Sequence, residues 1–394
     1  MLKGKTIILG ITGSIAAYKM AGVAHELKKM GADVHVIMTK NALNFINPIT
    51  FETLTSNKCL VDTFDRNFEF NVEHVSLAKK ADIFMVAPAS ANIIGKIANG
   101  ICDDMLTTTL FAFKGTKVIV PAMNTNMYDN PILQDNLTKL KNYGYDIIEP
   151  ETGLLACDDI GRGKLPKEDV LISNILTHIA YPHDLEGKKI LISAGPTMEA
   201  IDPVRFITNH STGKMGYSIA KMAHLRGADV LLVTGPVNIK PFYGIKTINV
   251  ISASDMFNAI KDNYIGMDAI IMAAAVADYT PKEVSDNKIK KSDDDMSIEL
   301  QRTTDILKYL GEHKTKEKII GFSMETENML INSQNKLLKK NADMICANSL
   351  TNNKTGFGVD TNQITFITKD AITTSELDTK ENLANQILDK IKEL

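Results

Sequence analysis

Two glycine-bearing turns that each open a helix are the first places where residue type and spacing point to chemistry. Gly10-Ile11-Thr12-Gly13-Ser14 follows the apolar run Lys5 to Leu9, and Met20, Val23, Ala24 and Leu27 then recur at helical spacing. Amides at such a helix start face outward and attract an anion, so this turn is a candidate phosphate site. Pro88-Ala89-Ser90-Ala91-Asn92 follows the apolar run 83–87. Its small residues admit a flat ring to the backbone, and Ser90 and Asn92 offer hydrogen bonds. Pro121 to Met127 follows the run 117–120, and Leu155 to Gly163 is a loop carrying the thiol of Cys157. Taken singly these features also have plain readings: a tight turn, a small buried thiol, a turn asparagine at Asn124, a packed His74.

The second glycine turn is Gly195-Pro196-Thr197, followed by Arg205-Phe206-Ile207-Thr208-Asn209-His210-Ser211-Thr212-Gly213-Lys214-Met215-Gly216. Ser, Thr and Gly at a helix start hold phosphates. The stretch is not a Walker A loop, because Thr208 stands where its first glycine belongs and Met215 where Ser or Thr would meet magnesium. Ala273-Ala274-Ala275-Val276-Ala277-Asp278 lets a base lie on the backbone, with Asp278 able to accept from a ribose hydroxyl or assist a magnesium ion. Lys288-Ile289-Lys290-Lys291 is a charge cluster, Phe322 can border a base, and Lys336 and Lys340 share a helix face. Solvated surface and ordinary packing account for these equally well when each is taken alone.

Positioning such groups takes strands that end where ligands bind. The order strand, glycine turn, helix, strand in residues 5–38 is a βαβ unit, with Gly31 as its helix stop. It is written again from Lys189, with Gly227-Ala228-Asp229-Val230 echoing Gly31-Ala32-Asp33-Val34. Further buried strands are expected at 269–273, 318–321 and 363–368, and a terminal helix over 380–394 with Leu383, Ile387 and Ile391 on one face. The fold class is α/β: two Rossmann-like domains with mainly parallel sheets, the first flavodoxin-like, spanning 1–183 and 184–394. The boundary falls in the polar linker Tyr181 to Gly187.

The chain has 394 residues, 44% hydrophobic and 23% charged, with a net charge of -3, so nothing global points to nucleic acid. No apolar run reaches the ~20 residues of a membrane span. Cys59, Cys102, Cys157 and Cys346 form no Cys-x-x-Cys pair, so a cytoplasmic chain with free thiols is expected. In the first domain Gly-x-x-Gly spacing and Met38-Thr39-Lys40, with no ribose-binding acid, favour a mononucleotide such as FMN over NAD.

Gly13-Ser14-Ile15-Ala16-Ala17-Tyr18-Lys19, His74, Pro121-Ala122-Met123-Asn124 and Leu155-Ala156-Cys157 together resemble the flavin-dependent cysteine decarboxylases. With the second half included, the chain resembles the bifunctional phosphopantothenoylcysteine decarboxylase/phosphopantothenate–cysteine ligases of coenzyme A synthesis along essentially its whole length. Asp158 departs from the family's usual glycine, and Thr303-Thr304-Asp305-Ile306 from Asn-Pro-Asp-Ile.

The resemblance implies FMN held by Gly13, Ser14, Ile15, Thr39, Ser90 and Asn92. It implies His74 as base or thiol-orienting group, Asn124 on the substrate carboxylate and Cys157 as proton donor from a closing loop. The chemistry would oxidise the substrate's thiol-bearing carbon, release CO₂ into that electron sink and return the electrons from reduced flavin. In the second domain it implies CTP against Ser211, Thr212, Gly213, Ala274, Ala275, Asp278, Lys288, Thr304, Asp305, Ile306, Leu307, Phe322, Lys336 and Lys340. Lys288 would stabilise the step that forms an acyl cytidylate, Asn209 would hold that intermediate for attack by cysteine, and magnesium would clamp the phosphates, with Asp278 as its candidate ligand. Trimeric flavin domains, with His74 and Asn124 meeting across an interface, and dimeric ligase domains are further implications. Three other readings remain: a two-domain NAD(P) oxidoreductase, a flavin prenyltransferase, which leaves the second half unexplained, and a non-catalytic flavin-binding regulatory subunit.

Overall fold

Apolar runs that lack period-two alternation become strands covered on both faces. The computed structural model describes residues 1–64, 73–154, 160–291, 295–325, 327–349, 356 and 358–394. The chain divides into two units, Met1–Tyr181 and Pro182–Leu394.

In the first unit, β1 (Thr6–Ile11), β2 (Asp33–Met38), β3 (Ile83–Ala89), β4 (Thr116–Pro121) and β5 (Asp146–Ile147) form one parallel sheet in the order β2-β1-β3-β4-β5. That order is flavodoxin-like. Every residue of β1 and β3 is buried. The helix Lys19–Lys29 buries Met20, Val23, Ala24 and Leu27, the four residues its spacing picked out. Gly31 lies just beyond it at φ +93°, a left-handed stop that most side chains resist. A short antiparallel hairpin, β6 (Glu151–Leu154) and β7 (Ile160–Lys164), flanks the 155–159 segment.

The second unit contains β8 (Lys189–Ala194), β9 (Met198–Ala200), β10 (Phe206–Thr208), β11 (Asp229–Thr234), β12 (Lys246–Asn249), β13 (Ala269–Met272), β14 (Tyr279–Pro281), β15 (Leu300–Arg302), β16 (Lys318–Glu325), β17 (Met344–Ser349), β18 (Thr361–Asn362), β19 (Thr365–Ile367) and β20 (Ile372–Thr374). Its large sheet runs β12-β11-β8-β13-β16-β17-β19-β20. The first six strands are parallel and follow the dinucleotide-fold order, which reverses between β8 and β13. β9 and β10 form a hairpin inserted between β8 and the helix Lys214–Leu225.

The buried strand expected at 363–368 is present over Thr365–Ile367 as β19. β19 pairs antiparallel with both β17 and β20, while the preceding β18 belongs to a separate two-stranded sheet. A parallel return needs a long crossover, whereas the Thr368 N–H donates to the Ala371 carbonyl at 2.9 Å and closes a tight turn. The terminal helix Lys380–Glu393 buries Leu383, Ala384, Ile387 and Leu388, while Ile391 is only half-buried. Arg226 ties the domain start to this helix, donating to Asp184 at 2.6 Å and Asp389 at 2.7 Å.

Gly311, in the helix Ile306–His313, touches the segment that carries Lys340: a methyl group there would sit 1.8 Å from the Lys340 carbonyl oxygen. Backbone cannot yield as a flexible side chain does. Gly311→Ala should therefore destabilise the second unit by about 2 kcal/mol or more, seen as a lowered melting transition. An unchanged transition would contradict this packing.

Candidate active sites

In an open parallel sheet the loops beyond the carboxyl ends of strands meet where the strand order reverses. In the first unit those loops enclose a cavity of about 800 Å³. Gly13 follows β1, Thr39, Lys40 and Asn41 follow β2, and Ser90, Ala91, Asn92 and Ile93 follow β3, and all of them line it. Thr12 fastens two of these loops: its hydroxyl donates to the Pro88 carbonyl at 2.7 Å and accepts from the Ser90 N–H at 2.9 Å. Ser90 caps the helix Ala91–Ala98, whose first turn therefore opens into the cavity. The Thr39 hydroxyl is buried and has no hydrogen-bond partner. A cavity of this size, with a helix start and an orphaned hydroxyl, fits a flavin mononucleotide.

Four of the six expected flavin residues, Gly13, Thr39, Ser90 and Asn92, line this cavity. Ser14 and Ile15 do not. Ser14 caps the 3₁₀ turn Ile15–Tyr18, which precedes the α-helix, and Ile15 is exposed. Sequence reasoning missed Lys40, Asn41, Lys96, Asp103 and Asp104. Lys96 pairs with Asp103 at 2.7 Å and Asp104 at 3.4 Å, and Lys40 with Asp62 at 3.1 Å, so the two lysines of the lining face three carboxylates.

His74, in the helix Glu73–Lys80, and Asn124, which caps the short helix Thr125–Tyr128, are not part of the lining, although Met127 is. The Asn124 side chain accepts from the Asn126 N–H at 2.9 Å. β7 docks on this segment: the Met123 N–H donates to the Gly163 carbonyl at 3.0 Å, and any side chain at Gly163 would strike the Met123 carbonyl. Cys157 lies outside the described residues, but its flanking strands are thus anchored beside Asn124. Of the other cysteines, burial and the nearby Glu52 carboxylate push the Cys59 thiol up to about 12. Burial alone raises Cys346. Burial, with Asp104 and Asp103, raises the exposed Cys102. None of these three is an activated thiolate.

In the second unit a cavity of about 670 Å³ lies beyond β13 and β16. Ala274, Asp278, Thr304, Asp305, Ile306, Leu307, Phe322, Lys336 and Lys340 line it, nine of the expected nucleotide residues. Asp305 caps the helix Ile306–His313 by accepting from the Lys308 N–H at 2.9 Å, and it also pairs with Lys340. Burial raises the Asp305 carboxyl, but Lys340, the Lys308 amide and the Lys336 charge outweigh it and hold the group below its ordinary range. Lys336 donates to the Phe322 carbonyl at 2.8 Å. Arg302, Asn332, Asn335 and Lys339 were missed. Asn332, Asn335, Lys336 and Lys339 recur at helical spacing, a pattern that was present to be found. Four cationic side chains here face two carboxylates, Asp278 and Asp305.

Ala275, Asn209, Ser211, Thr212, Gly213 and Lys288 stand outside this lining. Asn209 is nevertheless tied to it: its side-chain amide donates to the Ala275 carbonyl at 3.0 Å, and the Ala275 N–H donates to the Gly195 carbonyl at 2.9 Å. The Ser211 hydroxyl accepts from the Gly213 N–H at 3.3 Å. Lys214 is engaged by the Gly358 carbonyl at 2.6 Å and by Asp360 at 2.7 Å, unlike a Walker A lysine. Lys288 is exposed on a segment clamped at Ile289. Among the described residues no three His, Cys, Asp or Glu side chains converge as a metal site, and no helix is long and apolar enough to cross a membrane.

Residues 1–180 match the family model Flavoprotein, and 185–394 match the DNA/pantothenate metabolism flavoprotein C-terminal domain. The coenzyme A biosynthesis bifunctional protein CoaBC of Bacillus subtilis is 46% identical over 373 residues, covering 94% of this chain and 92% of that protein. The chain belongs to this bifunctional family. The CoaBC protein of Vibrio parahaemolyticus is 41% identical over 396 residues, covering 100% of this chain and 99% of that one. A crystal structure of the C-terminal domain of a CoaBC protein is 45% identical, covers 53% of this chain and 96% of that one, and has a TM-score of 0.46. As a family member the protein is a bifunctional flavoprotein enzyme of coenzyme A biosynthesis, joining a decarboxylase and a ligase activity.

The orphaned Thr39 hydroxyl gives a direct test of the flavin cavity. Thr39→Val removes an unsatisfied polar group, so the flavin-free protein should melt no lower than wild type, while flavin dissociation should rise about tenfold. Unchanged flavin affinity in a titration would show that the hydroxyl does not meet the cofactor.

Proposed function

We propose that the second unit joins 4'-phosphopantothenate to L-cysteine with CTP, and that the first unit decarboxylates the resulting 4'-phosphopantothenoylcysteine to 4'-phosphopantetheine. The observation that carries this division is the charge of the two cavities. The second is lined by Arg302, Lys336, Lys339 and Lys340 against two carboxylates, suited to a triphosphate. The first neutralises its lysines internally and offers a helix start, suited to a single phosphate.

In the ligase, the substrate carboxylate attacks the α-phosphorus of CTP, forming an acyl cytidylate and releasing pyrophosphate. Lys288 stabilises the charge gathering on phosphorus. The cysteine amine then attacks the acyl carbon, CMP leaves, and Asn209 holds the intermediate for that attack. Magnesium would be held chiefly by the phosphates, with Asp278 as the candidate protein ligand. Phe322 and Ala274 border the base, and Lys336 and Lys340 hold the phosphates.

In the decarboxylase, Gly13, Thr39, Ser90 and Asn92 hold FMN, with Ser14 and Ile15 adjoining. Bound FMN supplies the two-electron chemistry that makes a cysteine carboxylate able to leave. Asn124 binds that carboxylate without a charge that would oppose its departure. His74 takes or orients the thiol proton, and Cys157 returns a proton at the end. His74 and Asn124 lie outside the single-chain cavity, which supports a site completed between flavin domains of a trimer, with the ligase domains dimeric.

Purified protein should be yellow and release FMN on denaturation; colourless protein that cannot be reconstituted would overturn the first-unit reading. Phosphopantothenate, CTP and magnesium without cysteine should give one pyrophosphate per acyl cytidylate. Brisk release with ATP alone would overturn the nucleotide. Cys157→Ser should leave ligation intact and stop decarboxylation at an oxidised product, and full turnover would remove Cys157 as the acid.

A further inference from the structure

The segment carrying Lys288 contributes little to the core, yet it is gripped by a buried carboxylate. Lys282, Glu283, Val284, Asp286, Asn287, Lys288 and Lys290 are all exposed. Asp202, in contrast, is 3% exposed. One of its oxygens accepts from the Val204 and Arg205 N–H groups, both at 2.8 Å, closing a turn between β9 and β10. The other accepts from Arg205 Nε at 3.0 Å and Nη2 at 2.6 Å, and from the Ile289 N–H at 3.1 Å. Arg205 Nη2 also donates to the Ile289 carbonyl at 2.6 Å. Both backbone groups of Ile289, next to Lys288, are therefore held by one ion pair. The Ser285 N–H adds a second tie, donating to the Ile201 carbonyl at 3.1 Å.

The same turn leads through β10 into Asn209, which is fixed to Ala275. Burying a carboxylate is costly unless it is fully hydrogen-bonded. Here that cost is met to fix a surface segment relative to the strand leading to Asn209.

We propose that Asp202 is a positioning residue of the ligase, setting the place of Lys288 relative to Asn209 through the backbone of Ile289. The proposal rests on the ligase roles given above to Lys288 and Asn209.

The test is steady-state pyrophosphate release from phosphopantothenate, cysteine and CTP with Asp202→Asn, whose side-chain NH₂ cannot accept from the N–H groups that met the carboxylate oxygen it replaces. The expected result is a kcat lowered about tenfold or more, KM for CTP changed less than about twofold, and decarboxylation of supplied phosphopantothenoylcysteine unchanged. In a Lys288→Gln background, Asp202→Asn should cost little more, because nothing remains to be positioned. A full additive loss there, or a normal rate for Asp202→Asn alone beside a crippled Lys288→Gln, overturns the proposal by itself. A normal rate for Lys288→Gln overturns the role given to Lys288 in the ligase, and the proposal with it. Hydrogen exchange of the wild-type protein supplies a check independent of any variant's folding. The Ile289 amide should be protected within its exposed segment, and exchange at the unprotected rate overturns the proposal.

Discussion

The hydrogen bonding of parallel strands is the constraint on which everything else rests. A parallel sheet covered on both faces consumes the backbone groups of its strands internally and buries their side chains, as in β1 and β3. Polar side chains and unpaired amides can then collect only beyond the strand ends. Two sheets in one chain obey this independently. Gly13, Thr39 and Ser90 lie beyond β1, β2 and β3 in one unit, and Ala274 and Phe322 serve the cavity beyond β13 and within the end of β16 in the other. Strand order decides where the edge opens, and it reverses between β1 and β3 and between β8 and β13.

What differs between the halves is how charge is spent at that shared edge. Lys96 and Lys40 are neutralised by their own aspartates, which leaves backbone amides and small hydroxyl groups to meet a ligand. In the second cavity a helix face carries Asn332, Asn335, Lys336 and Lys339, and Lys340 follows it. One environment suits a resident cofactor with a single phosphate. The other suits a triphosphate that is bound, cleaved and released. On the reactions proposed above, a ligase that makes a cysteine amide and a flavoenzyme that decarboxylates one would be consecutive chemistries, which would give the fusion of these units its logic.

Much of this was legible because local pattern and tertiary role coincide. Met20, Val23, Ala24 and Leu27 read as one helical face and are buried as one, and continuous apolar runs read as covered strands. The 363–368 strand was read as a strand, but its direction was not legible, because apolar runs say nothing about direction, which the tight turn at Thr368 decides. Lys336 and Lys340 were found by charge, while Asn332 and Asn335 on the same side went unread because amides carry no such mark. Asp202 was invisible for a different reason. Its partner at Ile289 is a backbone amide 87 residues away, and no residue type announces that contact. Cys157 was singled out by resemblance and lies outside the described residues.

The central claim is that the two units act in sequence on one substrate, and isotope flow tests it most directly. Cysteine labelled in its carboxyl carbon is supplied to the intact enzyme with phosphopantothenate, CTP and magnesium. Labelled CO₂, pyrophosphate and phosphopantetheine should then form in equal amounts at completion, with pyrophosphate appearing first and no CO₂ released when CTP is withheld. Labelled CO₂ in the absence of CTP, or sustained pyrophosphate release that never leads to CO₂, would contradict the account.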